Sequence, residues 1–420
     1  MRNISRYLES KQKIHDIALI KRALEALHLE IDPARVIIIG GTNGKGSTCA
    51  TLQKLLMASG KNVGFFSSPH LIKVNERIKF NDRDISDETF NKIFEVVHKK
   101  VRDFKLSHFE YLTLMAAQYF FAEKNVDFAI FEVGLGGSHD ATNAIPHGMC
   151  AIARLGMDHE LILGDHLLKI AQNKLGIVSP GNKVFHTKFP DEKVMELALL
   201  VAEKLQAKLI EANSYDCIVD TSDRYPSFGI KTKWGDFKMN LQGQRAAENT
   251  SLAITIFEHL LEYLMDINKD IRQFLPAIAQ VNWPGRMEMI NRSGRDIFLS
   301  GDHNPQGIRS LLDILQFYNF KDVHFVVGIC NDKNHYEMLW ELMNFKNSHI
   351  YLTETPHKTL PIKDYDAIFL SSAKFASANQ IDTLDAAISN ASDGDLIVVT
   401  GSLYLVGMIK NTRVRSFPYC

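Results

Sequence analysis

The sequence predicts an α/β protein with mostly parallel sheets, divided into two unequal domains. Three observations carry this. Short β-branched runs alternate with helical periodicity, a glycine-rich turn joins one such run to a helix, and Trp283-Pro284-Gly285 interrupts the alternation. A length of 420 residues gives room for two or three domains. The interruption sets the expected boundary, with one domain over 1–283 and a smaller one over 284–420.

Residues 14–29 space Ile14, Ile17, Ala18, Leu24 and Leu27 as an amphipathic helix. Val36-Ile37-Ile38-Ile39 is β-branched throughout, as suits a strand buried on both faces. Residues 47–59, 86–104 and 109–123 read as helices. Residues 62–66, 126–131 and 149–153 read as further strands. Beyond Lys188 the pattern loosens, with several short strands over 207–240 and an amphipathic helix over 246–264. After the boundary, alternation resumes: strands at 297–299, 323–327, 349–352, 367–370 and 396–399, and a helix from Pro305.

Composition narrows the function. The 48 basic and 49 acidic residues leave a net charge of −1, which argues against a partner that is nucleic acid or an anionic membrane. No apolar run is long enough for a membrane span, and the N-terminus lacks the apolar core of a secretion signal. Cys49, Cys150, Cys217, Cys330 and Cys420 are scattered and never form a C-x-x-C pair. That spacing favours neither a disulfide framework nor a zinc site, and points to thiols in a reducing cytoplasm.

Gly40-Gly41-Thr42-Asn43-Gly44-Lys45-Gly46-Ser47-Thr48 lies between the first strand and a helix. Glycines let backbone amides approach an anion, and the helix start adds partial positive charge. Lys45 has the reach for β- and γ-phosphates, and Ser47 offers a hydroxyl to Mg²⁺. The spacing departs from G-x-x-x-x-G-K-[ST], because Gly46 separates the lysine from the hydroxyl. Such a loop indicates a nucleoside triphosphate without naming the reaction.

Glu132 ends a predicted strand, where α/β proteins place their ligands. It reads as a Mg²⁺ ligand, as a helix cap or as an exposed strand-end acid. His159, in Asp158-His159, is either a metal ligand or a satisfied polar side chain. Lys174 by itself reads as a solvated lysine near a helix C-terminus.

Taken together these stretches resemble the folylpolyglutamate synthase/dihydrofolate synthase family of the Mur ligase superfamily. The matching motifs are GTNGKGST (41–48), SSPHL (67–71), NERI (75–78), FEYLT (109–113), FEVGLGG with DATN (131–143), MDH (157–159), NKLGI (173–177), PGR (284–286) and HNP (303–305). They run in the family's order from about Tyr7 to Gly407. The resemblance implies a P-loop, Mur-ligase-like domain followed by a Rossmann-like one. It implies ATP-dependent amide formation, in which a substrate carboxylate becomes an acyl phosphate and the amine of L-glutamate displaces phosphate. Small-molecule substrates follow, dihydropteroate or a reduced folate with L-glutamate, with ATP and Mg²⁺ and with neither nucleic acid nor membrane as a partner. A monomer is the default expectation.

By resemblance, Thr42, Asn43, Gly44, Lys45, Gly46 and Ser47 bind the nucleotide, with Asn249, Arg286 and Ser300. Ser68, Glu132 and His159 hold Mg²⁺. Lys174 is expected to be carbamylated, and His303 to lie near glutamate and phosphate. Phe109 stacks on the pterin, Asp140 and Ala141 contact it, and Asp16 lies in a segment resembling the one that covers pteroate.

Two positions depart from the family pattern. Ser138 stands where an arginine is usual, and Ser300 where an aspartate is usual, with an aspartate two residues later at Asp302. Arg154, also unusual, offers a charge that could replace the one missing at 138. Three rival readings remain. A muropeptide ligase would need a further domain before the loop. A catalytically weakened binding protein would rest on the changes at 138 and 300. A P-loop switch would lack SSPHL and HNP.

Overall fold

The computed structural model describes residues 16–264 and 268–412. Tyr7, Ile14 and Cys420 lie outside them. The described residues form two compact units: one comprises residues 16–216, 232–237, 246–264 and 268–281, the other residues 217–231, 238–245 and 282–412. The chain passes from the first unit to the second at 281/282, after two short excursions over 217–231 and 238–245.

The first unit is built on an eight-stranded sheet. Its strands are β1 (Val36–Gly40), β2 (Val63–Phe66), β3 (Ile78–Phe80), β4 (Arg83–Asp84), β5 (Phe128–Glu132), β6 (Met149–Ile152), β7 (Lys183–His186) and β8 (Lys208–Glu211). Their order is β4-β3-β2-β5-β1-β6-β7-β8. All pairings are parallel except those joining β2, β3 and β4. β1 is fully buried between β5 and β6, which explains its unbroken β-branched run. The helix that follows it, Lys45–Ala58, is buried from Gly46 to Gln53, so it is a central helix and not a surface one.

A three-stranded sheet follows, from β9 (Asp216–Asp220), β10 (Ser227–Thr232) and β11 (Gly235–Met239). The second unit carries a six-stranded sheet of β12 (Arg286–Arg292), β13 (Arg295–Ser300), β14 (Val323–Val327), β15 (Ser348–Thr353), β16 (Phe375–Ser377) and β17 (Leu396–Thr400). Its order is β12-β13-β17-β14-β15-β16, parallel apart from β12 against β13.

Two expectations are corrected. Residues 367–370 are not a strand but part of the helix Ala367–Ser372, and the strand is β16. Four apolar residues carry no period that separates helix from strand. In the structure Phe369 turns inward while Ile368 remains 47% exposed. Past Lys188 the chain is not irregular but forms the helix Glu192–Leu205, capped by Asp191 through the Lys193 amide. Its exposed Leu199 and Leu200 blur the amphipathic pattern. Cys49, Cys150, Cys217 and Cys330 are free thiols, and no helix among the described residues is long and apolar enough to cross a membrane.

Candidate active site

The C-terminal end of β1 passes into the phosphate loop. Gly41 (φ +140°) and Gly44 (φ +88°) take conformations that side chains disfavour. Space forbids them as well. A Cβ on Gly41 would lie 2.9 Å from the Ala153 carbonyl oxygen, and one on Gly44 would lie 2.1 Å from Asn249 Oδ1. The loop is therefore clamped between the segment after β6 and the helix Gln244–Tyr263, which carries Asn249.

The amides of Thr42 and Asn43 are not turned toward an incoming anion. Both donate to the Arg154 carbonyl, at 2.9 and 3.2 Å. The Thr42 hydroxyl donates to Gly156 O at 2.9 Å. The first helical bond runs from Thr48 N to Gly44 O, so the amides of Lys45, Gly46 and Ser47 precede the helical ladder. Those three amides and the Lys45 ammonium lie at the helix start, the end that in general favours an anion. Lys45 Nζ donates to Gly41 O and Thr42 O, each at 3.1 Å. Lys174, only 4% exposed in the last turn of the helix Leu167–Leu175, donates from Nζ to Gly41 O at 2.9 Å. Both lysines thus converge on one loop carbonyl.

Glu132 ends β5 beside β1 and is 5% exposed. Its Oε2 accepts the Ser68 amide at 3.0 Å, joining the exit of β2 to that of β5. Burial pushes the Cys49 thiol well up. Glu132 adds to that rise and Lys45 opposes it, so the two charges act on the same buried point. His159 takes φ +52° and lies beside Asp158, with Nε2 3.9 Å from Oδ2. Among the described residues no cluster of three His, Cys, Asp or Glu side chains could hold a metal. A lone buried carboxylate fits Mg²⁺, which takes one or two carboxylates and completes its shell with phosphate oxygens and water.

A second group of predicted residues meets next to β5. Phe109 opens the helix His108–Ala117, with its ring 5.5 Å from that of Phe66. Gly134 lies under Phe109, because a Cβ there would come within 2.6 Å of the ring. Asp140 is buried, and its carboxylate accepts four bonds. Gly134 N (3.0 Å) and Leu135 N (2.9 Å) donate to Oδ2, and Thr142 N (3.0 Å) and Thr142 Oγ1 (2.6 Å) donate to Oδ1. Four accepted bonds fill an ionised carboxylate. Asp140 therefore ties down the Gly134–Leu135 floor; its oxygens are occupied by its own loop. Ala141 is buried beside it, in the short turn Ala141–Ala144. Asp16 stands apart as the cap of the helix Ile17–Glu25, accepting the Ala18 amide at 2.9 Å and the Leu19 amide at 3.3 Å.

The departures acquire local explanations. Ser138 donates both N–H and Oγ–H to Asn173 O, each at 2.9 Å. A Cβ on Gly137 would come within 2.8 Å of the carbonyl oxygens of Asn173 and Lys174. This loop is thus pressed onto the turn that carries Lys174. Arg154 does not replace a charge at 138. Its guanidinium pairs with Glu248, with Nη1 3.1 and 2.8 Å from the two carboxylate oxygens.

In the second unit, Ser300 Oγ donates to Asp302 Oδ2 at 2.5 Å. Asp302 is half-buried, and loss of solvent pushes its carboxyl pKa up, while Arg286, the Ser300 bond and Arg245 hold it down. His303 Nδ1 lies 2.9 Å from Gly301 O, and Asn304 caps the helix Pro305–Leu315 through the Gly307 amide.

Two organising carboxylates had been given no role. Glu76 of the NERI stretch accepts the amides of Leu71 (2.7 Å), Ile72 (2.9 Å) and Lys73 (2.7 Å). Glu110 closes a capping box with Ser107, which the S-x-x-E spacing announces. Next to it, His108 Nε2 is buried without a partner. Burial, helped by Arg77, pushes the His108 pKa from 6.5 down to about 4. The unfolded chain therefore binds more protons than the folded one between those values, and stability falls as pH drops through that window. The expected loss is up to about 2 kcal/mol at pH 5. Urea midpoints at pH 7 and 5 check it: His108→Gln should lose less than the parent, and an equal loss would assign the effect elsewhere.

These features, a strand-end phosphate loop with two converging lysines and a buried acid, belong to an ATP-dependent enzyme. Residues 285–403 match the glutamate ligase domain of the Mur ligases, which makes the class that of an ATP-dependent ligase with a Mur ligase fold. The dihydrofolate synthase/folylpolyglutamate synthase of Buchnera aphidicola is 30% identical, over 91% of this chain and 89% of its own length. The folylpolyglutamate synthase structure of Thermotoga maritima superposes with a TM-score of 0.80, at 28% identity, over 99% of this chain and 97% of that one. A solved folylpolyglutamate synthase in complex with AMPPCP and folate gives 0.82, at 25% identity, over 98% and 99%. The chain belongs to the dihydrofolate synthase/folylpolyglutamate synthase family.

Proposed function

We propose that this enzyme joins L-glutamate to dihydropteroate and to reduced folates, in the cytoplasm and as a monomer. The observation that carries the reading is the pairing of a phosphate loop with a separate aromatic cleft. Lys45 and Lys174 meet at Gly41, and Phe109 lies over the Gly134 floor, on loops that leave the neighbouring strands β1 and β5.

The chemistry follows from that placement. A carboxylate oxygen of the acceptor attacks the γ-phosphorus of ATP and ADP departs, leaving an acyl phosphate. The glutamate nitrogen, having lost a proton, then attacks the acyl carbon and inorganic phosphate leaves. Charge accumulates on phosphate oxygens, so positioned cations and amides supply most of the rate. Lys45 and the amides of Lys45, Gly46 and Ser47 serve the β- and γ-oxygens. Thr42, Asn43 and Gly44 shape the loop, and Asn249 holds it from the neighbouring helix. Mg²⁺, when bound, neutralises phosphate charge, and Glu132 with Ser68 and His159 are the groups assigned to hold it. Lys174 steadies the loop as an amine, and as a carbamate would present an anion there. Phe109 stacks on the pterin, with Ala141 and Asp140 forming the floor and Asp16 fixing the start of the covering helix. In the proposed domain 284–420, Arg286, Ser300 and His303 serve nucleotide, phosphate and glutamate.

Asp302 takes the place of the missing family aspartate, through its bond to Ser300. Asp302→Ala is expected to raise KM for ATP by about tenfold, with the pterin KM unchanged. An unchanged KM for ATP excludes the substitution.

The reading is tested by phosphate release with MgATP and L-glutamate, in arms containing 7,8-dihydropteroate, tetrahydrofolate or neither. Glutamylated products in both substrate arms, identified by mass, establish the dual activity. Product with tetrahydrofolate alone restricts the enzyme to polyglutamylation. Silence in both arms, from protein that binds MgATP, overturns the proposal.

A further inference from the structure

We propose that the first unit holds a second ligand site, for a small aromatic anion, at the end of its sheet opposite the phosphate loop. The inference does not depend on the substrate reading above. A cavity of about 500 Å³ opens where β1, β5, β6 and β7 begin, and the last turn of the helix Gln244–Tyr263 closes one side. That volume suits a small organic molecule. The loop and its lysines belong to the other ends of the same strands.

Three features of the wall specify the ligand. The first is an apolar surface from Phe128, Met149 and Leu260, with the flat ring of Tyr263 beside it. The second is a pair of cations without acidic partners. Lys61 forms no side-chain hydrogen bond or ion pair among the described residues. The Lys183 ammonium has no carboxylate partner among them either; it donates to Tyr263 Oη at 3.2 Å and lies 4.3 Å from the ring centroid. The third is His259, whose Nε2 is buried and lacks a hydrogen-bond partner. Its ring lies 5.0 Å from Tyr263 and 5.5 Å from Phe185. Burial and the Lys183 charge push the His259 pKa down, against Glu262, whose Oε2 lies 4.0 Å from Nδ1, and the Nε2 edge of the ring offers a hydrogen-bonding atom.

Other charges on the wall are already engaged. Asp127 accepts the Asn62 amide at 2.8 Å, and Arg35 lies 3.5 Å from Asp32. The occupant therefore needs one acidic group for Lys61 and Lys183, a flat apolar body for Tyr263 and the wall, and a polar atom for His259. A polyphosphate would leave the apolar wall unfilled, and a neutral hydrocarbon would leave two lysines desolvated.

The probe is 1-anilinonaphthalene-8-sulfonate, titrated by fluorescence against the full chain, with uncharged N-phenyl-1-naphthylamine as comparator. The expected result is one saturable site. Its affinity should fall by about tenfold in the Lys61→Gln/Lys183→Gln double variant, and the neutral dye should bind about tenfold more weakly. Saturating MgAMPPCP should leave it unchanged. Lys61→Gln alone removes a side chain without hydrogen-bond or ion-pair partners among the described residues, so it keeps the fold and should weaken binding in the same direction. Absence of saturable binding, equal affinity in the double variant, equal binding of the neutral dye, or displacement by MgAMPPCP would each overturn the proposal.

Discussion

Lys45→Ala is expected to reduce substrate-dependent phosphate release by roughly a hundred- to a thousandfold, the cost of removing one aligned charge from a phosphoryl-transfer site. The loss should fall mainly on kcat. The amides of Lys45, Gly46 and Ser47 are backbone groups, so the helix start still receives the nucleotide after truncation. Folding should be little affected, because among the described residues the side chain's hydrogen-bond partners are two loop carbonyls, Gly41 O and Thr42 O. Lys45→Arg should not restore the rate. A planar guanidinium cannot occupy the compact point taken by an ammonium 3.1 Å from both carbonyls. Steady-state kinetics on the three proteins, with thermal midpoints as the folding control, check this. A variant with kcat within about threefold of the parent would remove Lys45 from the chemistry.

Asp140→Ala should act on the other half of the site and on stability together. The carboxylate is the shared acceptor of three amides and one hydroxyl. Truncation strands these donors where water has little access, at an expected cost of about 2–4 kcal/mol. The floor beneath Phe109 then loosens, because the Gly134 amide is one of the four donors. KM for the pterin substrate should rise by about tenfold or more while KM for ATP changes little. Asp140→Asn keeps one acceptor oxygen but sets an NH₂ group against amide donors, so it should fall between parent and alanine variant. Urea unfolding with paired KM measurements separates the outcomes. An unchanged pterin KM in a destabilised Asp140→Ala protein would confine the residue to folding.

Much of the framework was legible because it rests on local patterns. The run Val36 to Ile39 could only be a buried strand, and the glycines after it marked a turn with unusual backbone angles. The motifs named the family before any contact was known. Roles that depend on distant partners were not legible. Asp140 looked like a ligand contact until its oxygens were seen to face Gly134, Leu135 and Thr142. Arg154 looked like a spare cation, yet its partner Glu248 lies 94 positions away in sequence. Ser138 looked like a loss of charge, and it fastens the loop to the turn that bears Lys174. The helix Glu192–Leu205 was hidden by two leucines facing solvent, which break the stripe that periodicity detects.

The resting place of Lys45 has a consequence for turnover. Its ammonium sits on two carbonyl oxygens of its own loop, so nucleotide arrival is an exchange of ligands around a charge that is already solvated by the protein. Affinity then measures the difference between phosphate and carbonyl, which is far smaller than the gross attraction of a bare cation for a polyanion. Weak anions gain little from the exchange, and the loop stays available in their presence. On departure the same carbonyls recapture the ammonium as ADP and phosphate leave, which lowers the cost of parting from the products.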